Sequence, residues 1–353
     1  MRRLWTRRGC LEVALALAIP TAARSASARR IVAVGDLHGD FSAWRDIARA
    51  AGLVDDRGRW IGGGAILVQT GDVVDRGPDS RRIIQDLMRL QREVPRAGGQ
   101  VIALVGNHEA MNLTGDLRYV SAGDYAAYAD SGSARRRETV FEANKAAIEQ
   151  AYRQGDPKIT AAAIRQAWLE ATPLGSVEHQ IAWSPDGEIG RWVVGNPAVV
   201  LLDGVLFVHG GISPAYAQLP VAEINRQVAA ALRAQTTAPD AIINDPLGPL
   251  WFRGLAATDA EAGEAPAKTS GAAAPAEPPI EQQLDALLSA QGAKRIVIGH
   301  TPHLAGIEIL YGGRLIRIDT GISAVYGGQV SYLDIVDGTP VPHAVPRSRP
   351  AAG

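Results

Sequence analysis

The chain has 353 residues, a mass of 37.3 kDa and 46% hydrophobic residues, enough to bury a sizeable core as one large domain or one domain with an insertion. That composition excludes a disordered protein. The formal net charge is -1, and without the first 28 residues, which hold five Arg and one Glu, 31 basic residues would face 36 acidic ones. No basic surplus remains to suggest a nucleic-acid partner.

The amino terminus reads as a targeting segment. Basic Met1 to Arg8 precedes apolar Leu11 to Ile19, then Pro20 and small residues ending in Ala26-Ser27-Ala28, an A-x-A cleavage site. The apolar run is too short to span a bilayer, so no stable membrane insertion is expected. Thr6-Arg7-Arg8-Gly9-Cys10-Leu11 resembles a twin-arginine export signal, which points to a periplasmic protein. Cys10, the only cysteine, falls within residues 1–28, so the mature chain would have no disulfide and any metal site would use oxygen and nitrogen donors alone.

The mature chain is organised around Gly35 to Asp40, GDLHGD, which follows the apolar run Ile31-Val32-Ala33-Val34. A short β-branched run ending in glycine reads as a buried strand that delivers Asp36 and His38 at its carboxyl end. Phe41, Trp44, Ile47 and Ala48 then fall at helical spacing, with Asp40 as N-cap. The strand Ala65 to Gln69 runs into GDVVDRG, Gly71 to Gly77, and a helix follows over Asp79 to Glu93, stopped by Pro95. Val101 to Val105 runs into GNHE, Gly106 to Glu109. Strand and helix alternating in under 40 residues argues for parallel pairing with right-handed crossovers.

From about Asn112 to Gly175 there are no β runs, only Ala-rich charged stretches, read as a helical insertion over the mouth of the site. Strand patterning resumes at Gly190 to Val194 and Ala198 to Leu202. Val205 to Val208 meets His209-Gly210-Gly211, and a helix spans Ala222 to Ala234. Ala256 to Pro279 cannot bury a core and reads as a flexible loop. Ile296-Val297-Ile298 meets GHTP at Gly299 to Pro302. A last strand pair, Arg314 to Ile318 and Gln329 to Ile335, closes a catalytic domain over 29–337, and residues 338–353 read as a loose tail.

Five apolar strands thus end in glycine beside Asp, Asn or His, and four of the 7 histidines stand at such ends. If the five loops converge, Asp36, His38, Asp72, Asn107, His209 and His300 supply three imidazole nitrogens, two carboxylates and one amide oxygen. That set fits two metals bridged by Asp72, and mixed N/O donors suit manganese, iron or zinc better than calcium. Two such cations would yield a hydroxide nucleophile at neutral pH and neutralise a phosphoryl group. Arg76 and Arg253 suit capture of phosphate oxygens, with Asn107 beside them. His108, oriented and charged by Asp75, would protonate the leaving group. His179, His303 and His343 read as solvated loop histidines, Trp183, Trp192 and Trp251 as packing, and Arg135-Arg136-Arg137 as a solvated helix start.

The set GDLHGD, GDVVDRG, GNHE, HGG and GHTP resembles the phosphoprotein phosphatases within the calcineurin-like metallophosphoesterases. The strings Gly106 to Leu113, Gly115 to Tyr119 and Ile318 to Ser323 are similar to the bacterial Shewanella-like branch. The resemblance runs from Ile31 to about Ile335. It implies an α/β fold with a central β-sandwich flanked by helices and a dinuclear centre with the ligands named above. It also implies direct hydrolysis without a phosphoenzyme, with His108 and Asp75 as the acid pair and Arg76 and Arg253 on phosphate. The expected substrate is a phosphotyrosine, phosphoserine or phosphothreonine protein or peptide. Two other readings remain: an exported nucleotide or dinucleotide polyphosphate hydrolase, and a non-catalytic metal- or phosphate-binding module. Intact Asp75, Arg76 and His108 speak against the latter.

Overall fold

A computed structural model describes residues 29–256 and 278–348. Residues 1–28, read above as a targeting segment, and residues 257–277 of the low-complexity stretch lie outside the described residues. In chain order the strands are β1 (Ile31–Val34), β2 (Ile66–Gln69), β3 (Gln100–Ala103), β4 (Val199–Leu202), β5 (Val205–Val208), β6 (Arg295–Ile298), β7 (Glu308–Leu310), β8 (Leu315–Arg317), β9 (Ser331–Val336) and β10 (Thr339–Ala344). The helices are α1 (Phe41–Ala50), α2 (Ser80–Glu93), α3 (Asn107–Thr114), α4 (Ala122–Tyr128), α5 (Ser133–Gly155), α6 (Ala161–Ala171), α7 (Ser176–Trp183), α8 (Glu188–Gly195), α9 (Val221–Arg233) and α10 (Ile280–Gln291).

The strands form two five-stranded mixed sheets, ordered β10-β9-β1-β2-β3 and β4-β5-β6-β8-β7. Within them β1, β2 and β3 run parallel, as do β5, β6 and β8. Strand alternation builds the layers. Ile31, Ala33, Ile66 and Val68 meet Phe207, Val297 and Ile316 in a core between the sheets. The intervening Val32, Val34 and Leu67 join Trp44, Ile47, Ile83 and Leu87 of α1 and α2 in a second core on the outer face. Strands buried on both faces must be apolar throughout, which is why the five runs stood out without alternation. Each buried Val or Ile contributes about 1.5–3 kcal/mol. The result is a sandwich of sheets flanked by helices, with Asp40 capping α1 by accepting from the Ala43 N–H at 2.9 Å.

Several sequence expectations need correction. Gly190 to Val194 is helical, inside α8: Ile189 and Val193 are buried at i, i+4, and Gly190 lies so close to Ser184 that a Cβ would meet its carbonyl oxygen at 1.8 Å. Tertiary contact outweighs the β preference of the valines. β8 and β9 are not a pair, because β8 lies beside β6 in the second sheet and β9 beside β1 in the first. The connection between them therefore crosses from sheet to sheet over the strand ends.

The tail is not loose where it is described. Asp337 and Gly338, both at positive φ (52° and 75°), turn the chain into β10, which pairs with β9 over six residues. Asp-Gly is a strong hairpin signal, and Pro340 and Pro342 are tolerated because β10 is an edge strand. Beyond it Arg347 donates to Asp40 at 2.9 Å and to the Ile322 carbonyl. Finally, His179 is not a solvated loop histidine. It lies buried on α7, ringed by Tyr125, Tyr128 and Trp183, and burial pushes its pKa down to about 4.

The residues between α3 and β4 are helical well past Gly175, through α8. Arg136 pairs with Asp130 and Glu178 rather than standing free. Strand β7 was not anticipated.

Candidate active site

Each catalytic loop begins where a parallel strand ends. After β1, Gly35 is required because the connection after β8 passes directly over it: a Cβ would lie 2.3 Å from the Ile318 carbonyl oxygen. The loop then turns through His38 at φ 40°, and its Leu37 and His38 N–H groups donate to the Asp72 carbonyl, both at 3.0 Å. Asp72 is itself left-handed, at φ 53°. Its N–H and that of Val73 donate to Glu109 at 2.9 and 2.8 Å, while a third donor, the Gly106 N–H, reaches the same carboxylate at 2.8 Å. Glu109 thus ties the loop after β2 to the start of α3.

The imidazoles are oriented by backbone carbonyls. His38 Nδ1 lies 3.0 Å from the Val74 carbonyl and His209 Nδ1 lies 3.0 Å from that of Thr70. In the tautomer these contacts favour, each Nε2 offers a lone pair. His38 Nε2 is 3.7 Å from Asp72 Oδ2, and His209 Nε2 is 3.3 Å from Asp72 Oδ1 and 2.9 Å from Asn107 Oδ1. The donor atoms of two groups, His38-Asp72-His108 and Asp72-His209-His300, each lie within 4.8 Å of one another, and Asp72 belongs to both.

Electrostatics favour metal binding. Burial pushes the His38 pKa down to about 4 and holds His300 well below the ordinary histidine value, so both rings are neutral, as metal ligands must be. Burial works to raise Asp72 as well, but the surrounding imidazoles of His209, His108 and His38 prevail and hold it well below the usual carboxylate range. Burial, then Asp319 and Asp72, push Asp36 well above that range. The buried His300 Nε2 has no hydrogen-bond partner. An orphaned nitrogen facing a shared carboxylate, in a donor set of N and O alone, fits divalent cations.

The expected residues converge. Asp36 accepts from the His300 N–H at 3.1 Å, which joins the first and last motifs, although Asp36 stands outside both three-residue groups. His108 Nδ1 is 2.6 Å from Asp75 Oδ2, and Asp75 Oδ1 accepts from Asn112 Nδ2 at 2.9 Å. Burial would lower His108, but Asp72 and Asp75 raise it above the ordinary value.

A cavity of about 200 Å³ opens over these groups, lined by Arg76 and Arg253 together with His38, Asp72, Asn107 and His108. The Arg76 guanidinium carbon lies 4.4 Å from the Tyr119 ring centroid and 5.4 Å from that of Tyr326, and its buried Nε is unpartnered. Arg253 is anchored to the loop after β6, donating to the His300 carbonyl at 3.0 Å and to Thr301 Oγ1 at 3.1 Å.

Several lining residues were given no site role in the sequence reading, although Asp116, Arg118, Tyr119 and Asp319 fall within the strings that carry the resemblance. Tyr119, Asp116 and Arg118 come from the loop between α3 and α4, while no residue of α5 or α6 lines the cavity. Asp319 and Tyr326 come from the sheet-crossing connection, and burial pushes Asp319 up to about 6. Trp251, read as packing, packs edge-on against His300 and also lines the pocket. Glu109 carried a usable signal, an acid three residues into a helix whose cap is glycine.

The calcineurin-like phosphoesterase family profile matches residues 29–330. The chain belongs to this family, in its Shewanella-like phosphatase branch. It is 32% identical over 302 residues to Shewanella-like protein phosphatase 2 of Arabidopsis thaliana, covering 83% of this chain and 71% of that one. An uncharacterised protein of Schizosaccharomyces pombe is 32% identical over 315 residues, covering 86% of this chain and 76% of its own length. Among solved structures, a cold-active protein-tyrosine phosphatase of a Shewanella species superposes with a TM-score of 0.62 at 23% identity, covering 90% of this chain and 81% of that one, which supports the fold. The phosphatase is therefore a metal-dependent phosphoesterase hydrolase, built on the sandwich that the motifs implied.

Proposed function

We propose that this phosphatase hydrolyses phosphomonoesters on protein or peptide side chains, and that Asp36, His38, Asp72, Asn107, His209 and His300 would hold two divalent cations, Asp72 being the residue common to both donor groups. The observation that carries the reading is the His108–Asp75 pair: His108 lines the cavity that Arg76 and Arg253 also line, its Nδ1 is held by Asp75, and its Nε2 lies 3.9 Å from the Asp72 carboxylate shared by the two donor groups. When bound, the cations would supply an activated water and charge neutralisation at phosphorus.

The chain's own residues do the rest. Arg76 and Arg253, which both line the cavity, clamp the phosphate oxygens, and Asn107 adds an amide. His108 gives its Nε2 proton to the leaving oxygen, while Asp75 fixes the ring through Nδ1 and stabilises its charged form. Tyr119, Tyr326 and Trp251 form an aromatic rim suited to an aryl ester, and the protein phosphatase named among the relatives supports a phosphorylated side chain as substrate. The N/O donor set supports manganese, with iron and zinc as the other fitting ions. The basic, apolar and A-x-A order of residues 1–28 supports export to the periplasm.

The test is turnover of phosphotyrosine and phosphoserine peptides and of a nucleoside triphosphate, with the metals of the same sample analysed. The expected result is peptide turnover supported by manganese and a loss of about 10²–10⁴-fold in His108→Asn. Faster nucleotide hydrolysis would move the substrate to polyphosphates. Bound metal without turnover would leave a binding module.

A further inference from the structure

The loop after β2 has an unusual backbone. Asp75 and Arg76 are successive non-glycine residues in the left-handed region, at φ 70° and 68°. Each such residue is strained by its Cβ and persists only where its surroundings over-determine it. From its own helix the loop receives one tie, the Asp75 N–H donating to Ser80 Oγ at 3.1 Å, and from the loop after β1 another, the Gly77 N–H donating to the His38 carbonyl at 3.0 Å.

The Asp75 carboxylate is held by Asn112 Nδ2 at 2.9 Å and His108 Nδ1 at 2.6 Å, and further backbone ties come from residues 119–124, more than 40 positions away. The Arg76 N–H donates to the Tyr119 carbonyl at 2.9 Å, Ser121 Oγ donates to the Gly77 carbonyl at 3.1 Å, and the Ser80 N–H donates to Asp124 Oδ1 at 3.3 Å. Gly123 lets this segment approach: a Cβ there would lie 2.3 Å from Pro78 Cβ. Ser121 and Asp124 also cap their own helix, the Asp124 N–H donating to Ser121 Oγ at 3.1 Å and the Ser121 N–H reaching Asp124 Oδ2 at 3.4 Å. One carboxylate oxygen is thus committed to α4 and the other to the catalytic loop. None of the three residues lines the cavity over the metal-donor groups.

We propose that Ser121, Gly123 and Asp124 form a positioning clamp that holds Asp75 and Arg76 in their left-handed conformation, and so aims the His108 proton and the Arg76 guanidinium. The inference rests on the reading of His108 as acid and Arg76 as phosphate ligand. It assigns the start of the helical insertion a role in orienting the machinery, separate from any role as a cover. A residue that only stabilised the fold would slow all substrates alike. A clamp that aims an acid matters most where the leaving group needs a proton.

The experiment compares Asp124→Ala and Asp124→Asn with wild type on phenyl phosphate and on 4-nitrophenyl phosphate, with inhibition by inorganic phosphate and bound metal measured on the same samples. In Asp124→Ala the loss of kcat on phenyl phosphate should exceed that on 4-nitrophenyl phosphate by roughly 10-fold, a part of the 10²–10⁴ that an acid provides. Inhibition by phosphate should weaken several-fold, with metal content unchanged. Asp124→Asn keeps an oxygen for the Ser80 N–H and should recover most of both. Gly123→Ala should repeat the Asp124→Ala signature by pushing Pro78. Should Asp124→Ala fail to fold, Ser121→Ala, which removes the bond to Gly77, is compared on the same two esters. Variants that lose equally on both esters, or match wild type, overturn the clamp while an active wild type keeps the proposed function. A wild-type protein inert on both esters overturns both.

Discussion

The first sheet sends three parallel strand ends into the pocket, and their loops carry Asp36 and His38, then Asp72, Asp75 and Arg76, then Asn107 and His108. The second sends β5 and β6, which carry His209 and His300, with Arg253 arriving from the loop before residue 257. Their backbones differ in the same way. His38, Asp72, Asp75 and Arg76 all lie at positive φ, against His300 alone among the second sheet's named site residues. The first-sheet loops are stitched to one another through Leu37, His38, Gly39 and Gly77 N–H groups and through Glu109, while the second sheet is joined to them by the His300 N–H on Asp36 and His209 Nδ1 on Thr70. Strain is concentrated in the loops to which the proposed function assigns proton transfer and phosphate capture. The second sheet has the lesser geometric task of presenting two imidazoles.

The largest effect should come from the one residue both halves share. Asp72→Ala removes the carboxylate common to the two donor groups, so turnover should fall by at least about 10³-fold, with fewer than two metals bound per chain by elemental analysis. Full metal content would break the shared-ligand account. Next, Arg76→Ala should cost roughly 100-fold in kcat/KM and Arg253→Ala about 10-fold, because charge-assisted hydrogen bonds differ in strength with burial and Arg76 sits on the strained, aromatic-walled side. Equal losses for the two arginines would erase the asymmetry between the sheets.

A smaller effect lies in the helical insertion. His179 is held near pKa 4 by burial, below the ordinary histidine value of 6.5. Below pH 6.5 the unfolded chain takes up a proton that the folded chain refuses until about pH 4, so stability is present at neutral pH and is lost as pH falls through that window. Urea unfolding should show about 2 kcal/mol lost by pH 5 relative to pH 7 from this group, a slope that His179→Phe removes. The smallest effect is expected at the Arg165–Glu138 pair, which joins α5 and α6 on the surface. Arg165→Gln should leave the urea midpoint of unfolding and kcat indistinguishable from wild type, since an exposed ion pair is screened by solvent and neither helix lines the cavity. A larger change in kcat would extend the catalytic role of the insertion beyond residues 119–124.

Much of the site was legible because metal and phosphate chemistry demands particular side chains at strand ends. An apolar run that stops at glycine beside Asp, Asn or His announces itself. The helix over α8 and the pairing partners of β8 and β9 were not legible, because Gly190 to Val194 carries β-prone residues whose helical state depends on contact with Ser184, and because sheet membership leaves no mark on a short apolar strand. The Asp337-Gly338 hairpin was written in the chain but masked by two prolines that an edge strand accepts.

By itself, the amino-acid sequence determined the five strand-end motifs, with the single cysteine, Cys10, outside all of them, and hence a nitrogen and oxygen donor set at those strand ends. Only the tertiary structure decided that Asp72 stands between two histidine groups, that Glu109 accepts three backbone donors, and that Tyr119, Asp319 and Tyr326 face the same cavity. The reason is physical. Residue chemistry is local and can be read in order, whereas a shared ligand, a strained turn and the segment that restrains it exist only when distant loops are packed together.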